Sequence, residues 1–492
     1  MAPNEYERPD GAPITSAAWR ALPPEFRKWI WATCQENVQL RARVGLNSTN
    51  SSKPPSSDGP EVKGTEKPRT RSGRKPGGQV GHPGHSRPLV PEDRLDGVTN
   101  SYPERCRRCG TDLPAARRGD MEPLRHQVAE LPPIVPTVIE HRRHRVCCRR
   151  CGVVTVADLP PDVPEGSFGP TLRAFLATLC GRYRLSRREV AEFCAEAIGL
   201  DVSVGTIDNI CRRVGEGLAD PIDEVKEHVR DAQVVHLDET GWSQKGQRYW
   251  MWVAVAAAGA YFQITKTRGG KVVSAILGTA FLGKIVTDRW SAYTIIEAVR
   301  RQVCWAHLKR DFKRFVDRGG PGREFGEDCL ALTKRLFEIW KRYEDDRIRW
   351  RTMQTRMTKV EIELGTLLGA GTASEDAKVR GFCEKIIQLE PSLFLFSRVP
   401  GVEPTNNRAE RALRPVVLWR KGSFGTMSDE GSRFVERVMT AVMTCRLQGR
   451  SVLSYLRAVC AAQDAGERSP SLMGQKARDA PVVSRPPLAR TG

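Results

Sequence analysis

The sequence has no run of about 18 apolar residues, the length a membrane-spanning helix needs. Its first ten residues, Met1 to Asp10, hold no apolar block of the kind a secretory signal requires. Acidic side chains are in deficit, 58 against 78 lysines and arginines, so the net charge is +20 over 492 residues. The first two absences argue against a membrane or secreted protein and lead to the expectation of a soluble, cytoplasmic one. The charge suits a polyanionic partner, nucleic acid first, although it also fits a merely soluble basic protein.

Cysteine is not scarce, at fourteen. A reducing interior leaves such thiols free or metal-bound. Cys34, Cys180, Cys194, Cys211, Cys304, Cys329, Cys383, Cys445 and Cys460 stand among apolar residues and read as buried free thiols. The others include two CxxCG knuckles, Cys106-Arg107-Arg108-Cys109-Gly110 and Cys148-Arg149-Arg150-Cys151-Gly152. Each knuckle supplies two thiolates from one turn, and Cys106, Cys109, Cys148 and Cys151 together suit one tetrahedral structural zinc. A hairpin around Val128–Ile139 would bring them together. Four thiolates leave no open coordination position, so this module (101–157) is structural. Arg142, Arg143, Arg149 and Arg150 give it a basic face.

Ahead of that module, an N-terminal segment (1–46) carries one helical pattern over 24–46, a dimerisation helix or a plain surface helix. A Gly/Pro/Ser-rich linker (47–100) follows. Between Lys63 and Arg87 it has seven basic residues and one acid. Arg74 and Lys75, set among glycines, suit a phosphate backbone. His82 and His85 read as linker residues. Residues 165–230 read as helices. Leu185–Phe193, a Gly199 turn and a helix capped by Ser203 resemble a helix-turn-helix, with Thr206 and Asn209 turned to a groove. A purely structural helix pair fits the same pattern.

From 231 the period changes. Strand Val234–Leu237 ends on Asp238, and strand Lys284–Thr287 ends on Asp288. Between them Arg248–Ala256 and Tyr261–Thr265 form a hairpin and Lys271–Leu277 a helix. A helix Ser291–Val299 and a strand Gln302–Trp305 complete a β-β-β-α-β-α-β series. In it Asp238 and Asp288 end strands that are candidates for parallel neighbours. Residues 309–394 read as an all-α insertion. A helix started by Thr405 or Asn406 then presents Asn406, Asn407 and Glu410 on one face. The remainder of the core and C-terminal helices fill 395–464, and 465–492 reads as a disordered tail. Two strand-end aspartates and a helical glutamate are what a two-metal phosphoryl-transfer site needs. Hard carboxylate oxygens suit Mg²⁺ or Mn²⁺, two per site. Spacing nominates Glu410 without deciding between a metal ligand and an ion pair within a basic face.

The chain resembles the DDE transposases of the insertion-sequence-66 family. The resemblance runs through Asn47–Ser57, Arg74–His85, the two knuckles, Asp238-Glu239-Thr240, Asp288 with Tyr293, Cys304-Trp305-Ala306-His307 and Asn406-Asn407-Arg408-Ala409-Glu410-Arg411. It implies an α/β RNase H-like catalytic core of mixed sheet (231–308 and 395–464), interrupted by the insertion. It implies a catalytic triad of Asp238, Asp288 and Glu410. The chemistry implied is cleavage of transposon ends followed by strand transfer into target DNA. The implied partners are the inverted-repeat ends and target DNA, a second copy of the chain on DNA, and accessory proteins of the same element. The setting is a bacterial cytoplasm, at the nucleoid. His307 reads as a phosphate contact or a packed residue, and Arg310, Arg408, Arg411 and Arg414 as DNA contacts. Glu239 should face away from Asp238 by strand alternation. Trp419–Thr426 matches the family only loosely. A zinc-containing DNA-binding regulator has no use for the Asp–Asp–Glu series; a nuclease or resolvase without strand joining would share it.

Overall fold

The Asp238 strand is nearly three times as long as its apolar run. In the computed structural model, which describes residues 16–44, 88–113, 122–160 and 163–474, it runs from Val234 to Gln244. Arg74, Lys75, His82 and His85 lie outside the described residues, as does the chain beyond 474. The chain divides into two units, Gly64–Thr137 with Ala197–Gly199 in one and the remainder in the other.

In the smaller unit, Val90 is held at both its N–H and its C=O by the Gln127 side chain, at 2.7 and 2.9 Å. Its knuckle closes with Gly110 N–H to Cys106 C=O (2.9 Å) and Cys106 N–H to Thr111 C=O (2.9 Å).

The larger unit begins with helices α1 (Ser16–Ala21) and α2 (Pro24–Val44). A two-stranded hairpin follows, β1 (Arg145–Cys147) with β2 (Val154–Val156). It frames the second knuckle, so the hairpin is here and not at Val128–Ile139, where the described residues form no strand. Pro132, Pro133 and Pro136 remove ladder donors from that stretch.

Four helices come next: α3 (Pro170–Gly181), α4 (Arg187–Phe193), α5 (Val204–Gly217) and α6 (Ala219–Arg230). Ser186 and Glu189 form a capping box on α4. Ser203 caps α5 as expected, accepting the Thr206 N–H at 3.1 Å.

A five-stranded mixed sheet then forms from β3 (Val234–Gln244), β4 (Gln247–Val255), β5 (Ala260–Thr265), β6 (Lys284–Thr287) and β7 (Arg301–Val303). Its order is β5-β4-β3-β6-β7. The first three strands are antiparallel, and β6 and β7 run parallel to β3. Lys245 and Gly246, both at positive φ (51° and 73°), make the two-residue turn that matches strand twist and lets β3 and β4 stay paired past Asp238. Helix α7 (Gly270–Leu277) links β5 to β6. The expected helix at 291–299 is two 3₁₀ turns, Ser291–Ile295 and Ala298–Arg300. The last strand stops at Val303, two residues short of the expectation.

Helix α8 (Trp305–Arg318) carries the chain from the sheet into α9 (Arg323–Glu344), α10 (Trp350–Thr372), α11 (Ala377–Ile387) and α12 (Leu395–Arg398). Phe312, Phe315, Phe325 and Phe382 meet edge-on in their core. Such pairs add about 0.5–1.5 kcal/mol each beyond the area they bury.

Helices α13 (Asn407–Ser423), α14 (Asp429–Leu447) and α15 (Val452–Asp464) return to the sheet. The end of the loosely matching stretch Trp419–Thr426, just past α13, docks this helix on the β3–β4 tip. Phe424 adopts the left-handed conformation and Gly425 has φ +113°, where a Cβ would overlap the Ser243 carbonyl oxygen. Thr426 then pairs with β3, donating to Ser243 C=O (3.0 Å) and accepting from Lys245 N–H (2.9 Å). Beyond α15 the chain stays packed, with Leu472 and Met473 buried, so 466–474 is not part of a free tail.

One face of α14 seals the sheet's edge. Thr444, Thr440 and Glu436, four residues apart, accept the N–H groups of Ala260, Phe262 and Ile264 along β5. An edge strand's open donors are thereby satisfied. Burial pushes the Glu436 acid up to about 7, against the Ile264 N–H and nearby arginines, which pull it down. An unfolded glutamate titrates near ~4.3. The folded state therefore holds the extra proton between these values, and stability falls as pH rises through that window. The slope is up to about 1.4 kcal/mol per pH unit. Glu436→Gln is expected to flatten that part of the pH–stability curve in a denaturant series.

Candidate active site

The pairing of β3 with its parallel neighbour β6 ends at His236–Val286, and Thr287 closes β6. Asp238 lies two residues beyond that last pair and Asp288 one residue beyond β6. Asp238 is therefore mid-strand, not strand-terminal. It stands where the parallel ladder has stopped while the antiparallel one, Asp238 opposite Val253, continues. Asp238 Oδ1 accepts the Glu239 N–H and Asp288 Oδ1 the Trp290 N–H, each at 2.9 Å.

Glu410 lies in the first turn of α13. Its position is set by Asn406, which is fully buried. The Asn406 amide donates to Leu237 C=O at 2.6 Å, the residue before Asp238. Its Oδ1 lies 3.3 Å from His236 Nδ1, and its backbone N–H reaches Cys304 Sγ at 3.2 Å. Trp305 N–H adds a bond to Pro404 C=O at 2.9 Å. The start of α13 is thus pinned to β3 and to the start of α8 at once. Asn407, the first residue of α13, is exposed where Asn406 is buried.

The three carboxylates converge from segments far apart in the chain. Burial holds the Asp238 acid well above the ordinary carboxylate range, and the negative charges of Glu239, Asp288 and Glu410 add to it. Glu239 takes a different role. Arg268 binds its Oε1 at 2.5–2.6 Å and Tyr293 OH donates to Oε2. Both its oxygens are engaged. Arg268 in turn lies over Trp290 and Trp250, 4.1 and 4.7 Å from the ring centres.

His307, in the first turn of α8, brings Nδ1 to 3.7 Å from Glu410 Oε1. Burial and Arg310 lower its basicity, while Asp288 and Glu410 raise it. Cys304, Asn406, Arg268 and the structural role of Tyr293 are features of the site that the sequence pattern did not assign. The signals were present in Cys304-x-x-His307 and in an asparagine four residues before Glu410.

The proposed DNA contacts are spread widely. Arg411 and Arg414 are exposed on α13, Arg310 is half-buried on α8, and Arg408 is paired with Glu403 at 2.7 Å. On α5 Asn209 is exposed, but the Thr206 hydroxyl sits 2.9 Å from Ser203 Oγ within the helix cap. Arg142, Arg143, Arg149 and Arg150 are exposed around the β1–β2 hairpin. Arg142 pairs with Glu140, and Arg143 donates to Ala157 C=O. The second knuckle repeats the first, with Gly152 N–H to Cys148 C=O and Cys148 N–H to Val153 C=O, both at 2.8 Å. Gly110 and Gly152 share positive φ, 74° and 72°. Of the nine cysteines read as buried free thiols, eight are buried and Cys34 is half-buried.

A family model described as "Transposase IS66 family" matches residues 165–433. A second, described as a family of unknown function (DUF6444), matches residues 29–88. Two uncharacterized proteins of Sinorhizobium fredii are similar to the chain. They are y4hP, 24% identical over 361 residues, and y4qI, 25% identical over 296 residues. The alignments cover 66% and 52% of this chain and 65% and 53% of those proteins. The chain thus spans between about half and two thirds of the length of these curated relatives.

Proposed function

The chain belongs to the IS66 family of transposases, and from that premise we propose that it cuts the ends of a DNA element and joins them to target DNA at Asp238, Asp288 and Glu410. The observation that carries this reading is the convergence of the three carboxylates. The half-buried Asp238 carries the electrostatic burden of both others, which a stable fold has no reason to keep unless a cation relieves it.

The residues fit divalent ions on two counts: the crowded acids, and the buried Glu410 Oε1, which has no hydrogen-bond partner. Asp238, Asp288 and Glu410 would hold them, as two Mg²⁺ or Mn²⁺. When bound, such ions neutralise charge on the attacking and leaving oxygens of an in-line displacement. The chain's own role is to hold the three acids fixed and close to one another. Asn406 fixes the Glu410 helix against β3, and Glu239, held by Arg268 and Tyr293, braces the strand behind Asp238. Water cleaves the end phosphodiester to a 3′-OH and a 5′-phosphate. That 3′-OH then attacks a target phosphodiester, forming one bond as it breaks another. No covalent protein–DNA bond is needed.

The strand order supports an RNase H-like core, an antiparallel meander followed by two parallel strands, entered again by α13 after the helical insertion. The +20 charge and the exposed Arg411 and Arg414 support DNA as the substrate, with a second copy of the chain and accessory proteins of the element as further partners. On α5, Asn209 is the better groove contact, and Arg74, Lys75 and the arginines beside the second knuckle are backbone contacts. In this reading the basic linker, the knuckle module and the helices of 165–230 bind DNA or support its binding, and the interrupted core cuts it.

A structural zinc held by the thiolates of Cys106, Cys109, Cys148 and Cys151 is supported by the matching knuckle turns. It is supported too by the Cys109 thiol, lowered to about 7 chiefly by Thr111. Metal analysis should find about one zinc per chain lost in a Cys148→Ser/Cys151→Ser variant; an unchanged zinc content would remove the proposal. The function itself is tested by incubating the chain with DNA carrying the element's ends and Mg²⁺. Joined product is expected. Nicked ends without joining would favour a nuclease.

A further inference from the structure

Cys304, His307 and Glu410 form a second constellation that overlaps the proposed triad at one residue. Their ligand atoms, a sulfur, an imidazole nitrogen and a carboxylate oxygen, all lie within 4.8 Å of one another. His307 Nδ1 and Glu410 Oε1 face each other at 3.7 Å, beyond hydrogen-bond reach. Each is a buried atom without a hydrogen-bond partner. Leaving a buried polar atom unpaired is costly, so two such atoms side by side call for something between them. A cation coordinated by both removes both penalties.

The donor set decides which cation. Mg²⁺ takes oxygen ligands. A thiolate, an imidazole and a carboxylate are the ligands of Zn²⁺ and its neighbours. Cys304 immediately precedes α8 and His307 lies in its first turn, so a rigid helix start sets both. Asn406 fixes both sides of the site, because its N–H touches Cys304 Sγ while its side chain anchors the β3 end of the Glu410 helix. Three protein ligands leave a fourth position open, unlike a four-cysteine site.

We propose that Cys304, His307 and Glu410 bind a transition-metal ion, best Zn²⁺, in a site separate from the cysteine knuckles that draws on the same glutamate as the catalytic acids. The Cys304 proton leaves to solvent as the sulfur coordinates. An ion held there withdraws Glu410 from the catalytic set, so zinc is expected to lower Mg²⁺-supported cutting. That consequence rests on the function proposed above; the binding does not.

The test is zinc content of the full-length chain, equilibrated with Zn²⁺, freed of excess by dialysis and analysed per folded chain. Cys304→Ser and His307→Gln, made separately and checked by circular dichroism, are each expected to hold one zinc fewer than the wild type. His307→Gln, at a half-buried position, keeps the test decisive if Cys304→Ser does not fold. A zinc content in folded His307→Gln equal to that of the wild type would overturn the proposal. The count is read whether or not the chain cuts DNA, so failure of the transposase reading and failure of this site are separate results.

Discussion

Asp238→Asn is expected to lower cutting and joining by about 10³-fold or more, the scale seen when a preorganised charge-stabilising group is removed. The same variant should melt at a higher temperature than the wild type in EDTA. Both effects have one cause. Asp238 is half-buried beside three other acids, and its loss of solvation together with their charge raises its proton affinity. An acid whose folded pKa lies above its unfolded one weakens the fold at every pH above the unfolded value, ~3.9. Asparagine keeps the shape and removes the charge, so the metal-free fold gains stability as it loses its cation ligand. Added Mg²⁺ should then stabilise the wild type more than the variant. Melting curves with and without Mg²⁺ check this. An Asp238→Asn chain that melts lower in EDTA would mean that the carboxylates do not burden one another.

Asn406→Ala and Asn407→Ala should behave oppositely, although the residues are adjacent and alike. Asn406→Ala removes the amide from Leu237 C=O and leaves that buried acceptor unpaired beside His236. The expected loss is about 2–3 kcal/mol. Cutting should fall by about 10–10²-fold through misplacement of Glu410, the scale of lost support behind a metal ligand. Asn407 is exposed, and its change should stay within about 0.5 kcal/mol. Denaturant midpoints and cutting rates of the two variants read both effects; equal losses would contradict the pinning role of Asn406.

The apolar runs of the sheet were legible because buried strands need β-branched and aromatic residues, and Val234–Leu237, Arg248–Ala256, Tyr261–Thr265 and Lys284–Thr287 have them. The length of β3 was not. Its second half, Glu239 to Gln244, is polar by composition and becomes strand only because the Lys245–Gly246 turn keeps it paired with β4. Ser291–Val299 has helical spacing, but the Tyr293 hydroxyl is drawn to Glu239 and Asp288 holds the Trp290 N–H. Tertiary bonds override a weak local preference there. The apolar residues of Val128–Ile139 look like a hairpin until the prolines among them are counted. In the site, Asp238 and Asp288 were nominated as the residues that follow apolar strand runs, although Asp238 stands mid-strand. Glu410 lies 122 residues past Asp288, across a helical insertion, and no periodicity spans that gap. The spacing of Asn406 from Glu410 was visible but its role was not, since an asparagine at a helix start reads first as a cap, whereas here its side chain bonds to a strand instead.

In the proposed function, one glutamate, delivered by α13 to two aspartates of the sheet, completes a DNA-joining site. The most direct test of that role is the strand-joining assay with Glu410→Gln, a change that keeps side-chain length and removes only the charge. Retained binding to the element's ends with no joined product is the expected result. Joining by Glu410→Gln at the wild-type rate would contradict the account.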